Sequence, residues 1–477
     1  MLRMHAGEPP SSLAAEGIVA TRCRNPTNFI LVEGKLGLRA RVRLAVPLLT
    51  SRMRVLYVNH TGQVSGGEKS LLEVLRRAAP AISPIVACPE GPLADAVAQI
   101  GVERVAIPGM DCSLKLHPRD TAKALSDAIR SGVSVRAATR RHNVSLVHAN
   151  TIRAGLIATL AAVRRGPPTV VHVRDRLPSS RISTLTLRAL GRADLLIANS
   201  RYTAASLEEA GVTCTRWIIG NPVDLSRFDP DKVERSAARA AFELEDSDYV
   251  TSVLAQITPW KGQEEAIRAV ARVHERHPNV KLLLLGSAKF VSKATRYDNR
   301  AYLERLHRLV AELGVRDRVK FAGECKDVPA ALRATDALLV PSWEEPFGRS
   351  MIEAMAMEVP VLATSIGGPS EVITPYRDGL LLPPRQPEAW STAIQTLIES
   401  PLLHAKLAHN GRMRAVAFGV EAHVAELLHA YRHVSAGRGN RSTSEPDLAP
   451  VQETSTAFIS VPRTLEATPA VPTAHVA

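Results

Sequence analysis

The feature that most constrains this chain is a rhythm: short apolar, often β-branched runs recur with helix-length stretches between them. Seven runs come first: Val55–Val58, Ile85–Cys88, Arg104–Ile107, Leu146–His148, Thr169–Val173, Leu195–Ala198 and Arg216–Ile219. Six more follow: Tyr249–Ala255, Lys281–Leu285, Val319–Ala322, Ala337–Val340, Val359–Ala363 and Gly379–Leu382. Short apolar strands separated by helices imply parallel sheets covered on both faces. Two series, parted where Pro222 and Pro230 interrupt both patterns, imply two doubly wound, Rossmann-like α/β domains facing a central cleft.

The expected layout has five parts. Residues 1–52 are a flexible N-terminal extension, 53–226 an acceptor-side domain, and 227–400 a nucleotide-sugar-binding domain. Residues 401–437 are C-terminal helices and 438–477 a disordered tail rich in Ser, Thr, Pro and Ala. Met53 opens the first strand, so a start at that residue is one reading of the N-terminus, and both ends are expected to be dispensable. No apolar run approaches the roughly 18–20 residues of a membrane span; the best, Gly155–Val163, is about half that length. No compact apolar segment with a small-residue cleavage site marks a signal peptide. The five cysteines are scattered and never form CxxC, which argues against a disulfide framework or a structural zinc site and points to the cytoplasm.

The formal charge of +13 is uneven. Residues 55–224 hold 21 basic against 13 acidic residues, whereas residues 225–438 hold 28 against 27. A basic first domain favours anionic partners such as a phospholipid surface or phosphorylated substrates; an evenly solvated basic surface is the plain alternative. Only 4% of residues are aromatic and none interleave with a basic stretch, so nucleic acid is not an expected partner.

The most informative stretch is Pro341-Ser342-Trp343-Glu344-Glu345-Pro346-Phe347-Gly348-Arg349-Ser350, followed by Met351 to Ala356. It reads as strand, glycine-containing loop, then helix. Glu353 falls about one turn inside that helix, with Glu345 at its mouth. The free amides of such a helix start form an anion site suited to a diphosphate, and two carboxylates beside it suit sugar or ribose hydroxyls. Two glutamates at this spacing also occur on ordinary helix surfaces. A second cluster, Gln256 to Lys261, sits at a strand-to-helix loop where a lysine can meet a phosphate. A third, Val64-Ser65-Gly66-Gly67, lets backbone approach a phosphate or sugar, and it lacks the Gly-x-Gly-x-x-Gly of a nicotinamide site.

With Glu345-Pro346-Phe347-Gly348, Glu353-Ala354-Met355-Ala356, Pro360 to Glu371 and Asp378-Gly379-Leu380-Leu381, the chain resembles the retaining glycosyltransferases of family 4, which have the two-domain GT-B fold. The resemblance covers roughly residues 53–435. It implies that Glu353 holds the nucleotide ribose and Glu345 contacts the donor sugar. It implies that Lys261 clamps the diphosphate, with Gln256 where family members usually carry a second cation. Gly348, Arg349 and Ser350 would complete the donor site, with Gly66 and Gly67 facing the donor phosphates. His172 matches a histidine beside the transferred sugar. His148 and Asn150 are further cleft candidates, while Asn199-Ser200 and Asn221 to Asp224 are expected to be architectural.

The implied activity is metal-independent retaining sugar transfer from a nucleotide-sugar co-substrate, without a cofactor or bound metal. The acceptor is a glycan, glycolipid or small molecule; a lipid-linked one would be met at the inner membrane face. On the family's usual mechanism the departing phosphate oxygen takes the acceptor's proton, so no protein base is needed. A nucleotide-sugar epimerase and a catalytically weak sugar- or lipid-binding relative share this architecture.

Overall fold

The computed structural model describes residues 30–33, 39–42, 52–78, 81–110, 118–162, 166–289 and 297–439. Residues 1–52 form a unit of their own, within which β1 (Ile30–Glu33) and β2 (Arg39–Val42) pair antiparallel with Ile30 opposite Val42. The expectations of a flexible extension and a disordered tail otherwise fall outside the described residues.

The second unit begins at Met53. Its first half runs β3 (Met53–Val58), α1 (Gly66–Ala78), β4 (Ile82–Cys88), α2 (Pro92–Gln99), β5 (Glu103–Ala106), α3 (Pro118–Arg141), β6 (Leu146–Ala149), α4 (Ile152–Ala161), β7 (Thr169–Val173), α5 (Arg181–Leu190), β8 (Leu195–Ala198), α6 (Arg201–Glu209) and β9 (Arg216–Ile218). The second half runs α7 (Arg235–Ala240), β10 (Tyr249–Leu254), α8 (Gln263–His274), β11 (Val280–Leu285), α9 (Asn299–Glu312), β12 (Val319–Gly323), α10 (Val328–Arg333), β13 (Ala337–Val340), α11 (Arg349–Ala356), β14 (Val361–Thr364), α12 (Pro369–Val372) and β15 (Leu380–Leu382). Three helices close the chain: α13 (Pro387–Glu399), α14 (Pro401–Ala415) and α15 (Val420–Gly439).

All thirteen expected runs of these two halves are strands, in parallel sheets of seven (β5-β4-β3-β6-β7-β8-β9) and six (β12-β11-β10-β13-β14-β15). Each sheet reverses its strand order once, between β3 and β6 and between β10 and β13. Loops leaving the carboxyl ends of strands at such a reversal splay apart and open a crevice. The loops after β3, β10 and β13 are those carrying Gly66, Lys261 and Glu345. The fold therefore gathers the candidate residues before any side-chain contact is considered.

The first sheet has apolar layers on both faces. One packs β3, β6 and β7 against α3, α4 and α5; the other packs them against α1, α2 and α15. Helix α15, the last element, thus belongs to the core of the first half: Val420, Leu427, Ala430 and Tyr431 are at most 3% exposed. Burying a side chain such as Val420 or Leu427 contributes about 1.5–3 kcal/mol. No helix among the described residues is long and apolar enough to cross a membrane.

Candidate active site

The donor wall is built from two turns pressed together. After β10 a single helical turn, Pro259–Lys261, ends at Gly262 with φ of +72°. A Cβ at Gly262 would lie 2.0 Å from the carbonyl oxygen of Pro341, so only glycine allows this turn to meet the loop after β13. The Trp343 amide donates to the Trp260 carbonyl at 2.9 Å and completes the join.

That join brings Lys261 to Glu345. Lys261 Nζ lies 2.5 Å from Glu345 Oε2, and Ser342 Oγ donates to the same oxygen at 3.0 Å. Both charged side chains are largely buried, 15% and 9% exposed. Nζ also sits 4.0 Å from the Trp260 ring centroid, a cation–π contact. Glu345 is fixed from behind: its amide donates to Ile366 O at 3.1 Å and its carbonyl accepts from Gly368 N at 2.8 Å.

Helix α11 is preceded by Gly348 at its N-cap, whose φ of +91° and missing side chain leave the helix without a side-chain cap. The first amides of the helix, from Arg349 and Ser350, have no intrahelical acceptor, which is the condition for an anion site. Glu353, 7% exposed, lies one turn in and accepts from Arg349 Nη2 at 2.8 Å. Gln256 is half-buried at the end of β10, its carbonyl accepting from Gln263 Nε2 at 2.9 Å. Its side chain brings no charge to the lysine.

Across the cleft, Gly66 opens α1 and Gly67 packs against Arg174, whose Cδ would be 3.2 Å from a Cβ placed on Gly67. Arg174 follows β7 and is buried. Its guanidinium donates to the Asn150 carbonyl (3.1 Å), to Asn150 Oδ1 (2.9 Å) and to Asn221 Oδ1. Burial pulls its pKa down to about 10, against the opposing pull of Glu68. Asn150 and Asn221 are thus the cage of Arg174, and Asn199 Nδ2 caps its carbonyl at 2.9 Å. Asp175, next in the chain, is open to solvent yet within the field of Lys261 and Glu345.

His172 lies elsewhere. It is fully buried on β7, and neither ring nitrogen has a hydrogen-bond partner. Its ring sits 5.7 Å from that of His148 and stacks on His423 at 6.4 Å. His148 Nδ1 pairs with Tyr431 OH at 2.6 Å, so both histidines face the layer under α15. Burial first, then the Arg174 charge, holds His172 well below the usual histidine pKa.

The two halves are fastened on both sides of the Glu345 loop. Ser200 Oγ accepts from Thr203 N to cap α6 and donates to Pro346 O at 2.6 Å. Tyr202 OH donates to Glu344, and Glu371 accepts from the amides of Arg201 and Tyr202, each at 2.8 Å. On the other side Arg349 reaches α1, where it meets Gly66, Ser70 and Glu73. Sequence reading picked out neither Arg174–Asp175 nor Glu73. The first pair had a signal in its place at the carboxyl end of a strand, and the second in being a lone acid within the apolar run Leu71 to Leu75.

Two parallel sheets with this crevice are the GT-B architecture, and the matches to family models and relatives show that the chain belongs to the group 1 glycosyltransferases. The model of the glycosyl transferases group 1 matches residues 234–414, and that of glycosyltransferase family 4 matches residues 64–227. A D-inositol 3-phosphate glycosyltransferase of Salinispora arenicola is 30% identical over 325 residues, 62% of this chain and 70% of that protein. The protein of the same name from Rhodococcus erythropolis is 30% identical over 326 residues, 64% and 71% of the two chains. Among solved structures, HepE from Anabaena in complex with UDP-glucose superposes with a TM-score of 0.67 at 26% identity, covering 80% of this chain and all of that one. Sucrose-phosphate synthase from Thermosynechococcus elongatus, at 22% identity and a TM-score of 0.65, shares the fold over 81% of this chain.

Proposed function

We propose that this glycosyltransferase moves a sugar, with retention and without a metal, from a nucleotide-sugar donor to an acceptor hydroxyl. The observation that carries the reading is the Lys261–Glu345 pair set beside the uncapped start of α11. A diphosphate arriving there meets a lysine whose one anionic partner is Glu345, and helix-start amides with no intrahelical acceptor. Lys261 and those amides would stabilise the charge that develops as the sugar–phosphate bond breaks. The departing oxygen would take the acceptor's proton on the same face of the sugar, while Glu345 orients the sugar and Glu353 the ribose. Uridine is the base to try first, because HepE was solved with UDP and UDP-glucose. The name of the relatives makes an inositol phosphate the first acceptor to try. Nucleoside diphosphate release, measured with and without acceptor, tests the transfer, and the anomeric configuration of the product tests retention. Release without transfer, or an inverted product, would count against the reading.

Docking on an anionic membrane surface is part of the same proposal. On α3, Leu125, Ile129 and Val133 are 59%, 49% and 64% exposed at four-residue spacing. Arg136 and Arg140 continue that helical face. An apolar ridge flanked by cations is the composition that binds at a lipid headgroup boundary.

A further inference from the structure

We infer that Glu73, on α1 of the first half, is a positioning residue for the donor: it shares Arg349 with Glu353 and so keeps the Glu353 carboxylate available to the ribose. The inference rests on the proposed donor role of Glu353.

One guanidinium makes four contacts. Arg349 Nη1 donates to Gly66 O and to Ser70 Oγ, both at 2.9 Å. Nη2 donates to Glu73 Oε1 at 2.9 Å and to Glu353 Oε1 at 2.8 Å. The three charged side chains are 11%, 6% and 10% exposed, so water does little to screen them. Burial works against the Arg349 charge, but the Glu353 and Glu73 carboxylates outweigh it and hold its pKa up. Glu73 Oε2 is buried with no partner at all, and burial pushes that carboxyl up despite Arg349.

The sharing has a direction. Glu353 and Arg349 are one turn apart on the same helix, a spacing that forms an ion pair unaided. Left to themselves, a guanidinium fork and a carboxylate favour a two-bonded pair that engages both oxygens. Here Nη1 is held by α1 and Nη2 is divided between two acids, so only Glu353 Oε1 is engaged. Removing Glu73 frees Nη2 to turn wholly to Glu353 and tighten its hold on that carboxylate. A ribose would then have to displace a cation before it could bond. Because Glu73 belongs to the first half and Glu353 to the second, this oxygen is available only while the two halves are joined.

UDP, which contains the ribose in question, is the probe. In calorimetric titration, Glu73→Ala should weaken UDP binding about tenfold, the scale of one charged hydrogen bond. Glu73→Gln, whose amide oxygen still accepts from Arg349, should recover much of that loss. In a Glu353→Ala background, Glu73→Ala should weaken UDP no further. Unchanged affinity in the single variant, or losses that add in the double one, overturn the inference and leave the transferase reading standing. If the wild-type chain does not bind UDP, the uridine reading fails, and hydrogen exchange decides the inference by itself. Glu73→Ala should then speed exchange in the first turns of both α1 and α11 severalfold, and unchanged exchange there overturns it. Should the alanine variant not fold, the glutamine variant carries both measurements, with a smaller expected change of the same sign.

Discussion

On one side of the cleft, Lys261 is held by the opposite charge of Glu345 and the face of Trp260; on the other, Arg174 is held by the neutral acceptors of Asn150 and Asn221. Both walls contain a buried cation, but the two are tied differently. An ion pair can exchange one anion for another, so on the proposed function a diphosphate would replace Glu345 as the partner of Lys261 at modest net expense. A guanidinium whose donors already meet neutral acceptors along a rigid strand end gives up those bonds before it can serve a substrate. The second half is therefore the side that can respond to charge, and the first half the side that stays fixed.

The largest effect that would break this contrast is at the lysine. Lys261→Ala should lower turnover by about two orders of magnitude or more, as loss of one preorganised transition-state contact does. Turnover within threefold of wild type, read from nucleoside diphosphate release, would move the responsive charge elsewhere. Glu353→Ala should come next, raising the UDP dissociation constant by about ten- to a hundredfold.

The fixed side can be tested by pH. Burial and the charge of Arg174 hold His148 and His423 near a pKa of about 3, and His172 well below 6.5. The unfolded chain protonates all three near 6.5, whereas the folded state keeps them neutral. The contribution of His148 and His423 is therefore complete above about pH 6.5 and is lost as pH falls from there toward about 3, and that of His172 is lost in the same direction. A single such histidine, titrating alone, would add a slope of at most about 1.4 kcal/mol per pH unit within that window. Melting temperatures between pH 7.5 and 5 should fall steeply, and His172→Phe should flatten the curve while leaving turnover at pH 7.5 within about threefold. A flat wild-type profile, or a loss of turnover as large as that of Lys261→Ala, would return His172 to the chemistry.

Smaller effects sharpen the contrast. Gln256→Arg should leave kcat within about threefold or raise it, since a second cation beside Lys261 assists the same charge; a dead enzyme that still binds UDP would give the glutamine its own task. Ile129→Glu on α3 should abolish cosedimentation with anionic liposomes at low salt without touching turnover on a soluble acceptor. Wild-type binding indifferent to salt would refute the electrostatic part of docking.

The same contrast explains what was legible in the sequence. Strand positions were legible in both halves because short, fully buried parallel strands leave apolar runs that no neighbour can disguise. The closeness of Glu345, Gly348 and Glu353 was legible because they share one loop and one helix turn, so sequence spacing is nearly spatial spacing. In the first half the site is assembled from β7, α1 and the loops after β6 and β9, and spacing carries no such information. His172 shows the difficulty. It occupies a strand end, but with Val170 it falls on the sheet face beneath α15, and Arg174 two residues on reaches Gly67 instead. Glu73 was hidden because an acid in an apolar helix declares itself only when its cation, 276 residues away, is in place.

Helix α15 bears on how the molecule is made. The first sheet is complete at Ile218, yet one of its faces is sealed by residues beginning at Val420. At a synthesis rate of about 5–20 residues per second, the intervening stretch of roughly 200 residues leaves the part of that face beneath α15, beside α1 and α2, uncovered for about 10–40 s on the ribosome. The early half waits, sticky and incomplete, for the final turns of the polypeptide to arrive. A nascent chain halted just before Val420 would hold every strand of both sheets and still be a client for chaperones.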